Sequence, residues 1–489
     1  MKILKKLKPS LMILILGSVS LLTRLLYLGH KSFWIDECLA WGATQMGWLE
    51  MFKAVANGTP HPPVAYALMK LSVFLFGGSE FGVRFLIALV TASAVIPVFR
   101  LTSRRSSTTG AFWAGLLWAL SPFAVSIGQE AWVYGIYLAI SLWFVDFADS
   151  AWFGSKKAFI FSFVLGALGL LTQHIFVLSI FTASILYFTI DSTKRVPLRK
   201  FVVLPIVLTL FYIPIFFAFS SQFLERSSRM ASAGFSHNNS RLFTSMPLSS
   251  FFRILLGGML PKISLNLFER PRMLVVYAVN GLMVLFLAIW PYFTKLLTKP
   301  EKKFLWLTLL IPFGLFLGDS PSIRQLSIIW IPLLITSAVV FAKYSWSGLI
   351  ASIFCLVMLV PYYKLNTYPY HQSDFRTAIT EVEKLAAPGD IVVVFGGKST
   401  RFAWEYYSES DLVCLTPSGE NPFTPDLERR RRIDPVSIID SLITDEGYQR
   451  VWVILDVWGI PSISGMQGSH TLSTYQLISE HMQIGLIQK

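Results

Sequence analysis

The chain has 489 residues, of which 54% are hydrophobic and only 14% are charged, and its mean hydropathy is +0.58. Soluble domains cannot account for most of this composition, so the sequence predicts a polytopic membrane protein. Lys and Arg outnumber Asp and Glu by 42 to 28, in short clusters between apolar runs, which indicates topology signals rather than nucleic-acid binding. No metal-ligand spacing is formed by the three cysteines, Cys38, Cys355 and Cys414.

The N-terminus carries a basic region followed by an apolar stretch over residues 11–29. Arg24 interrupts this stretch and no small-residue cleavage site is evident, so we expect an uncleaved signal anchor rather than a removed signal peptide. The basic N-terminus then stays in the cytoplasm. The segment WIDE (residues 34–37), with its adjacent carboxylates Asp36 and Glu37, emerges on the outer face.

The assignment of the membrane spans depends on whether the apolar segment 62–77 crosses the membrane. A span needs about 20 mainly apolar residues, and positively charged loops stay inside. The basic clusters of all later loops fall inside only if this segment lies in the membrane interface as an amphipathic helix instead of crossing. We therefore expect about eleven spans, with the N-terminus inside and the C-terminus outside. The predicted spans are 11–29, 81–101, 109–127, 131–149, 157–173, 175–190, 201–220, 273–293, 303–318, 323–342 and 345–363.

The composition changes to that of a soluble domain at about residue 366. Residues 374–386 have the periodicity of an amphipathic helix, and residues 389–397 and 450–458 have the character of buried strands. The sequence thus predicts a membrane domain over 1–365 and a small α/β domain over 366–489 on the outer face. The expected fold class is an α-helical polytopic membrane protein with a C-terminal α/β domain.

Polar and charged residues gather at the predicted outer ends of several spans. A charged side chain near the centre of a membrane helix costs roughly 2.5–3.5 kcal/mol, so such a set at one level indicates a shared water-filled cavity. The alternative is that each group lies in an outer loop in water. The set comprises Asp36 and Glu37, Gln129 and Glu130, His174, and Asp319 with Arg324.

Several segments resemble, in order and spacing, the GT-C glycosyltransferases of the protein O-mannosyltransferase and aminoarabinose transferase type. Four early segments carry the resemblance: FWIDECLAWGA (33–43), GTPHPPVAYALMKLSVFLFGGSEFGVRFLIAL (58–89), ALSPFAVSIGQEAWVYGIYLAI (119–140) and LGLLTQHIFVLS (168–179). Later, SPSIRQLSIIWIPLLI (320–335) is similar to the family's Arg-containing tenth span, and residues 374–394 look like the start of its outer domain. The resemblance covers most of the first 190 residues and is patchy after them.

The resemblance implies transfer of a sugar from a polyprenyl phosphate donor to an acceptor on the outer face, with inversion at the anomeric carbon. An acceptor hydroxyl is a poor nucleophile, so a carboxylate must take its proton as the new C–O bond forms. Asp36 matches the position of the family's catalytic carboxylate and is assigned this role; the alternative for the same residue is a helix N-cap. Glu37 either orients the acceptor or Asp36, or is simply solvated.

Glu130 matches a second acidic position of the family, where it binds sugar hydroxyls, an acceptor amine or a divalent ion, and Gln129 is assigned to substrate binding with it. The chain departs from the family pattern at Trp132, where many members have Arg, so a fixed cation is absent here. Tyr134 keeps the family position, either as a hydrogen-bonding group near the site or as a packed interfacial tyrosine.

The leaving group in such a reaction is a lipid phosphate, whose developing negative charge needs fixed donors. Arg324 and His174 match family positions with this role, and an Arg can engage phosphate oxygens through two parallel hydrogen bonds. His174 is equally well explained as an interfacial histidine. Arg84 is a further candidate that could instead only anchor the second span, and His61 of the HPP motif is a candidate for contact with the donor.

The sequence has no Gly-rich nucleotide-binding loop and no convincing set of metal ligands, which favours a lipid-linked donor and predicts no metal or other cofactor. The expected enzyme is a hexosyl- or pentosyltransferase of the bacterial cytoplasmic membrane, acting in cell-envelope glycan, lipid or protein glycosylation. Its expected partners are a polyprenyl-phosphate-linked sugar, an acceptor of open class and the lipid bilayer, not nucleic acid. A lipid or sugar transporter or flippase is the alternative, although we see no paired halves with the matching broken helices of many transporters.

Overall fold

The computed structural model describes residues 4–59, 61–217, 296–297, 302, 307, 325–366, 373–396, 399–417, 435–456, 463, 470–479 and 482–488. The chain divides into two compact units. The first comprises Met1–Leu26, Pro60–Leu68 and Phe85–Tyr362; the second comprises Tyr27–Thr59, Met69–Arg84 and Tyr363–Lys489. The second unit thus combines the segment that carries Asp36 with the C-terminal part of the chain, whereas the sequence-based boundary at residue 365 separates them.

Most of the described chain is helical. The helices before residue 218 are α1 (Pro9–Leu25), α2 (Ile35–Gln45), α3 (Trp48–Gly58), α4 (Val64–Phe76), α5 (Glu80–Ser93), α6 (Val95–Arg105), α7 (Thr108–Leu120), α8 (Pro122–Gly128), α9 (Val133–Trp152), α10 (Lys156–Leu170), α11 (Val177–Tyr187) and α12 (Leu198–Phe201, which continues as helix to Phe217). The later helices are α13 (Trp330–Lys343), α14 (Ser345–Asn366), α15 (Phe375–Leu385), α16 (Thr400–Tyr407) and α17 (Pro435–Thr444). Short 3₁₀ turns cover Leu4–Lys6, His174–Phe176 and Gln325–Ile329.

Three described helices are long and apolar enough to cross a membrane, namely Glu80–Arg105, Val133–Trp152 and Leu198–Phe217. The pair α7 and α8 adds a fourth if it is counted as one bent span. Two of the eleven predicted spans, 273–293 and 303–318, lie outside the described residues, so the count of eleven stays a prediction. Helix α4 has 13 residues and is about 20 Å long, which is short of the ~30 Å hydrocarbon core. The interfacial position of residues 62–77 stays a prediction.

The bend between α7 and α8 is 55° and lies at Ser121, whose hydroxyl caps α8 by accepting the N–H of Ala124 at 3.3 Å. The carbonyl of Ala119, just before the bend, accepts the hydroxyl of Thr23 at 2.9 Å and a guanidinium N–H of Arg24 at 3.5 Å. The Arg24 side chain is fully buried with its guanidinium over the Trp118 ring. The cation that interrupts the first apolar stretch therefore lies against the bend.

A second set of buried charges joins α6 to α9. Asp146 and Asp149 of α9 are fully buried. Arg104 forms ion pairs with Asp146 at 2.6 Å and with Asp149 at 2.7 Å. Arg100 lies 3.2 Å from Asp146, and Arg105 pairs with Asp149. These arginines belong to the cluster that the positive-inside pattern assigns to the cytoplasmic side, and two carboxylates of a neighbouring helix partly neutralise them.

The described C-terminal residues form a five-stranded sheet in the order β2-β1-β3-β5-β4. Strand β1 is Ile391–Phe395, β2 is Val413–Leu415, β3 is Arg450–Asp456, β4 is Thr471–Ser479 and β5 is Met482–Gln488. Strand β1 is parallel to β2 and β3, while β5 is antiparallel to β3 and β4. All five residues of β1 are buried, as expected for a central parallel strand covered on both faces. The helix predicted at 374–386 and the strands predicted at 389–397 and 450–458 are confirmed as α15, β1 and β3.

Candidate active site

The segment WIDE forms the first turn of α2. Trp34 is the N-cap, so Asp36 is the second helical residue and Glu37 the third. The Trp34 N–H donates to Oε2 of Glu37 at 3.4 Å. The N-cap interpretation of Asp36 is therefore wrong, because the helix begins two residues earlier. Both carboxylates instead lie where the positive end of the helix dipole favours negative charge, and Asp36 is half-buried.

Glu37 is paired with Arg84 by a two-pronged contact. Nε of Arg84 donates to Oε1 of Glu37 at 2.8 Å, and Nη2 donates to Oε2 at 2.7 Å. Both side chains are only 1% exposed. Parallel hydrogen bonds of this kind fix orientation as well as charge. Glu37 therefore forms a buried ion pair with Arg84, and the expectation that it is simply solvated is wrong.

The remaining N–H groups of Arg84 point at the backbone before α2. Nη1 donates to the carbonyls of Leu28 at 3.0 Å and Lys31 at 2.8 Å, and Nη2 donates to that of Ser32 at 3.2 Å. A guanidinium has five N–H donors, so every one of them is used. Arg84 thus fixes residues 28–34, the loop that leads into α2 and to Asp36 in its first turn, here called the Asp36 loop. Its predicted role in substrate binding stays a prediction, and its observed contacts are those of a positioning residue.

The C-terminal part of the chain contacts the same loop. The Tyr407 hydroxyl accepts the N–H of Phe33 at 2.7 Å and donates to Glu80 at 2.9 Å. Glu80 also accepts the hydroxyl of Tyr406 at 3.1 Å and pairs with Arg376. Sequence reasoning missed these four polar side chains. Glu80 carries no signal beyond that of an acidic residue at a helix start, and its partners lie about 300 residues later.

Helix α2 packs along α16. The rings of Trp41 and Tyr406 meet edge to face at a centroid distance of 4.9 Å. Gly42 lies so close to the Phe402 ring that a Cβ at this position would be 2.5 Å from the ring. Cys38, also on α2, has no exposed surface, and burial together with the neighbouring Glu37 raises the pKa of its thiol well above the usual value.

In the first unit, aromatic rings surround the segment after α8. The His61 ring meets the Trp132 ring edge to face at 5.4 Å and the Tyr134 ring at 6.2 Å. Glu130 is buried, and its carbonyl accepts the N–H of Trp132 at 2.8 Å in a tight turn. The structure thus brings together three of the predicted site residues, His61, Glu130 and Tyr134, around Trp132.

Gln129 has a well-defined structural use. Its Nε2 donates to the carbonyls of Arg24 at 3.0 Å and Leu26 at 2.7 Å, and its Oε1 accepts the hydroxyl of Tyr362 at 2.7 Å. The side chain therefore ties the end of α1 to α14. Its predicted role in substrate binding stays a prediction.

His174 opens the 3₁₀ turn after α10. Its Nδ1 lies 2.9 Å from the hydroxyl of Tyr212, on the helix that continues from α12. Tyr212 was not predicted, because nothing in the sequence places it beside a residue 38 positions earlier. Arg324 and Asp319 lie outside the described residues, so their predicted roles stay predictions. In the part of the chain that the structure describes, no group of three or more His, Cys, Asp or Glu side chains could hold a metal ion.

Comparison with known proteins adds two findings. The family model of dolichyl-phosphate-mannose-protein mannosyltransferases matches residues 60–219, about a third of the chain. A search of curated proteins gave no significant match. The matched stretch contains His61, Glu130, Tyr134 and His174 and ends before Arg324.

Solved structures supply the second finding. ArnT from Cupriavidus metallidurans bound to undecaprenyl phosphate is similar over 97% of both chains, with a TM-score of 0.55 and 12% identity. The oligosaccharyltransferase AglB from Archaeoglobus fulgidus, in complex with an inhibitory peptide and a dolichol-phosphate, is similar over 92% of this chain and 69% of that chain, with a TM-score of 0.47 and 11% identity. The chain thus shares the fold of ArnT, in agreement with the family resemblance of its sequence.

Proposed function

We propose that the chain is a glycosyltransferase that moves a sugar from a polyprenyl-phosphate-linked donor to an acceptor hydroxyl or similar group on the outer face of the membrane. The observation that carries the proposal is the geometry around Asp36. Its carboxylate lies half-buried in the first turn of α2, beside Glu37, which Arg84 holds through two hydrogen bonds. The match of the mannosyltransferase family model to residues 60–219 and the fold shared with ArnT support the same reaction class.

Asp36 acts as the general base of this reaction. The acceptor oxygen attacks the anomeric carbon of the donor sugar while Asp36 takes the acceptor proton, and the bond between that carbon and the phosphate oxygen breaks. The products are the glycosylated acceptor, a polyprenyl phosphate and a protonated Asp36, with inversion at the anomeric carbon. A base must stand within hydrogen-bond reach of the proton that it takes, so the rigidity of its support matters. Glu37 and Arg84 supply that support.

Arg324 and His174 stabilise the departing phosphate. Nδ1 of His174 lies 2.9 Å from the Tyr212 hydroxyl, and we assign the tautomer in which Nδ1 accepts from Tyr212 and Nε2 carries the proton for a phosphate oxygen. The forked guanidinium of Arg324 adds two further donors. Donors aimed at developing charge are among the largest contributions to such reactions.

Glu130, His61 and Tyr134 line the part of the first unit assigned to the donor sugar or the acceptor. Trp132 among them offers an aromatic face in place of the cation that many relatives carry. The carboxylate of Glu130 is suited to sugar hydroxyls or to an acceptor amine. The sugar is a hexose or pentose of the cell envelope, and the protein acts in the bacterial cytoplasmic membrane with the Asp36 loop outside.

The test uses purified full-length protein in liposomes. Radiolabelled polyprenyl-phosphate sugars are supplied with a cell-envelope extract as the source of acceptor, and release of polyprenyl phosphate with labelling of the extract is measured. We expect release that depends on the extract and is lost in Asp36→Asn. Movement of the labelled lipid across the bilayer without cleavage of its sugar would instead establish a transporter and overturn the proposal.

A further inference from the structure

The C-terminal helix α16 touches the loop of the proposed base at one defined backbone group. The Tyr407 hydroxyl accepts the N–H of Phe33 at 2.7 Å, one residue before the N-cap of α2. We propose that Tyr407 is a positioning residue that holds the Asp36 loop in place, which makes the C-terminal part of the chain a working part of the active site. This inference rests on the proposed function and assigns the C-terminal part of the chain a role within the same site.

The hydroxyl of Tyr407 is fixed from several sides. Its single proton points to Oε1 of Glu80 at 2.9 Å, which leaves its oxygen to accept from Phe33 and, at 3.2 Å, from the hydroxyl of Ser32. A phenolic hydroxyl has one donor and acceptor capacity on its oxygen, so this pattern uses both. Because Glu80 orients the hydroxyl, the oxygen lone pairs stay directed at the loop.

Arg376 and Tyr406 also contact this stretch of the chain, Arg376 by hydrogen bonds and Tyr406 by its ring. Arg376, which pairs with Glu80, donates from its Nη1 to the carbonyl of His30 at 3.1 Å, and its backbone N–H donates to the Ser32 hydroxyl at 3.3 Å. The Phe33 ring lies 4.9 Å from the Tyr406 ring, with the Arg84 guanidinium 5.1 Å from the Phe33 ring centroid. The C-terminal part of the chain therefore contacts residues 30–33 through hydrogen bonds and aromatic rings.

The contacts of Tyr407 and those of Arg84 fall on different atoms. Arg84 binds carbonyls of the loop and the Glu37 carboxylate, whereas Tyr407 binds an N–H. Removing the Tyr407 hydroxyl leaves the Arg84 contacts in place. The loop then stays folded but gains freedom at Phe33, and a small displacement of a catalytic group is enough to reduce turnover severalfold or more.

The first experiment compares Tyr407→Phe with Tyr475→Phe, a matched control on β4 whose side chain is 50% exposed. Turnover and the KM for labelled polyprenyl-phosphate sugar are measured for both. We expect kcat of Tyr407→Phe to fall about tenfold with the donor KM unchanged, and Tyr475→Phe to match the wild type. An unchanged kcat, or a rise in donor KM with kcat unchanged, would overturn the positioning role.

The same substitution is then made in an Asp36→Asn background. A residue that acts through Asp36 has nothing left to position once the base is gone, so Tyr407→Phe should cause no further loss of the residual activity. A further tenfold loss in that background would show that Tyr407 acts independently of Asp36, which contradicts the inference.

A native thiol reports on the loop without any sugar transfer. Cys38, two residues after Asp36, has no exposed surface, so a maleimide should not label it in the folded wild type. In Tyr407→Phe we expect its labelling rate to rise several-fold, because the loop opens more often. Cys355, buried in the first unit, should stay unlabelled and exclude global unfolding. Unchanged Cys38 labelling would overturn the inference. A wild-type protein that is inactive on every donor would instead contradict only the proposed function.

Discussion

Two clusters of buried arginine and carboxylate groups use the same chemistry for different ends. In one, Arg84 pairs with Glu37 and spends its other donors on loop carbonyls. In the other, Arg100, Arg104 and Arg105 of α6 share Asp146 and Asp149 of α9. The first cluster fixes irregular backbone beside the proposed base, and the second joins two regular helices.

The two clusters differ in how many ion-pair partners each carboxylate has. Glu37 has Arg84 as its ion-pair partner, and both side chains are almost fully buried. Each carboxylate of the second cluster contacts two arginines, which are 8–37% exposed. We therefore expect damage to the first cluster to appear in catalysis, and damage to the second to appear only in stability.

The largest effect is expected at the residue that the first cluster supports. Asp36→Asn keeps the size of the side chain but removes the proton-accepting charge, so sugar transfer should fall by about 10²-fold or more. Loss of a charge at the second helical position should cost only about 0.3–1 kcal/mol of stability. Transfer and thermal unfolding are measured on the same purified protein, with Asp191→Asn in an exposed loop as the control. Near-normal transfer by Asp36→Asn would remove Asp36 from the catalytic role.

The next largest effect on sugar transfer is expected for Arg84→Lys, with Arg104→Lys as its comparison. Lysine keeps the charge but has three donors and no fork, so in Arg84→Lys at least two of the five accepting contacts are lost. Transfer should fall about tenfold through misplacement of the Asp36 loop. Arg104→Lys should retain wild-type transfer per folded molecule, because its carboxylates keep Arg100 and Arg105. Equal losses of transfer in the two variants would mean that the two clusters do not differ in function.

A third variant probes the helix-joining cluster alone. Asp149→Asn leaves Arg105 buried without its carboxylate partner, and removing one member of a buried pair typically costs about 3–5 kcal/mol. We expect a clear drop in the free energy of unfolding, with kcat unchanged for the molecules that remain folded. Denaturant unfolding and active-site-normalised transfer measure the two quantities. A selective loss of kcat would show that this cluster, too, supports the reaction.

The smallest effect is expected at the rim of the same cluster. Arg100 is 37% exposed and its partner Asp146 keeps Arg104, so Arg100→Gln should change stability by no more than about 1 kcal/mol. High salt should reduce the difference from wild type further. Thermal unfolding at two salt concentrations checks both points, and a loss of several kcal/mol would show that Arg100 is an essential member of the network.

The sequence alone predicts the elements whose signals are local. The periodicity of residues 374–386 and the apolar runs at 389–397 and 450–458 identify α15, β1 and β3. The motif around the adjacent Asp36 and Glu37 predicts them as site residues, and this stays a prediction. Arg84 was only a weak candidate, because its pairing with Glu37 spans 47 positions and depends on tertiary folding.

Other features have no local signal at all. The sequence does not predict Trp34 as the N-cap, because Asp is the better capping residue. The helix begins earlier because Glu37 forms an ion pair with Arg84, a tertiary contact that has no signal in the local sequence. The contact between Phe33 and Tyr407 joins residues 374 positions apart. Tyr212 lies beside His174 only because two separate helices pack together. Such pairings follow from the fold and not from composition or spacing.

Arg24, buried at the bend between α7 and α8, has a consequence for biogenesis. A lone arginine within an apolar segment is costly to release into lipid, by roughly 2.5–3.5 kcal/mol on insertion scales. Arg24 contacts the Ala119 carbonyl and the Trp118 ring, and both residues are synthesised about 95 residues later. We therefore expect α1 to stay at the translocation channel until α7 has been synthesised, so that the two helices enter the bilayer together.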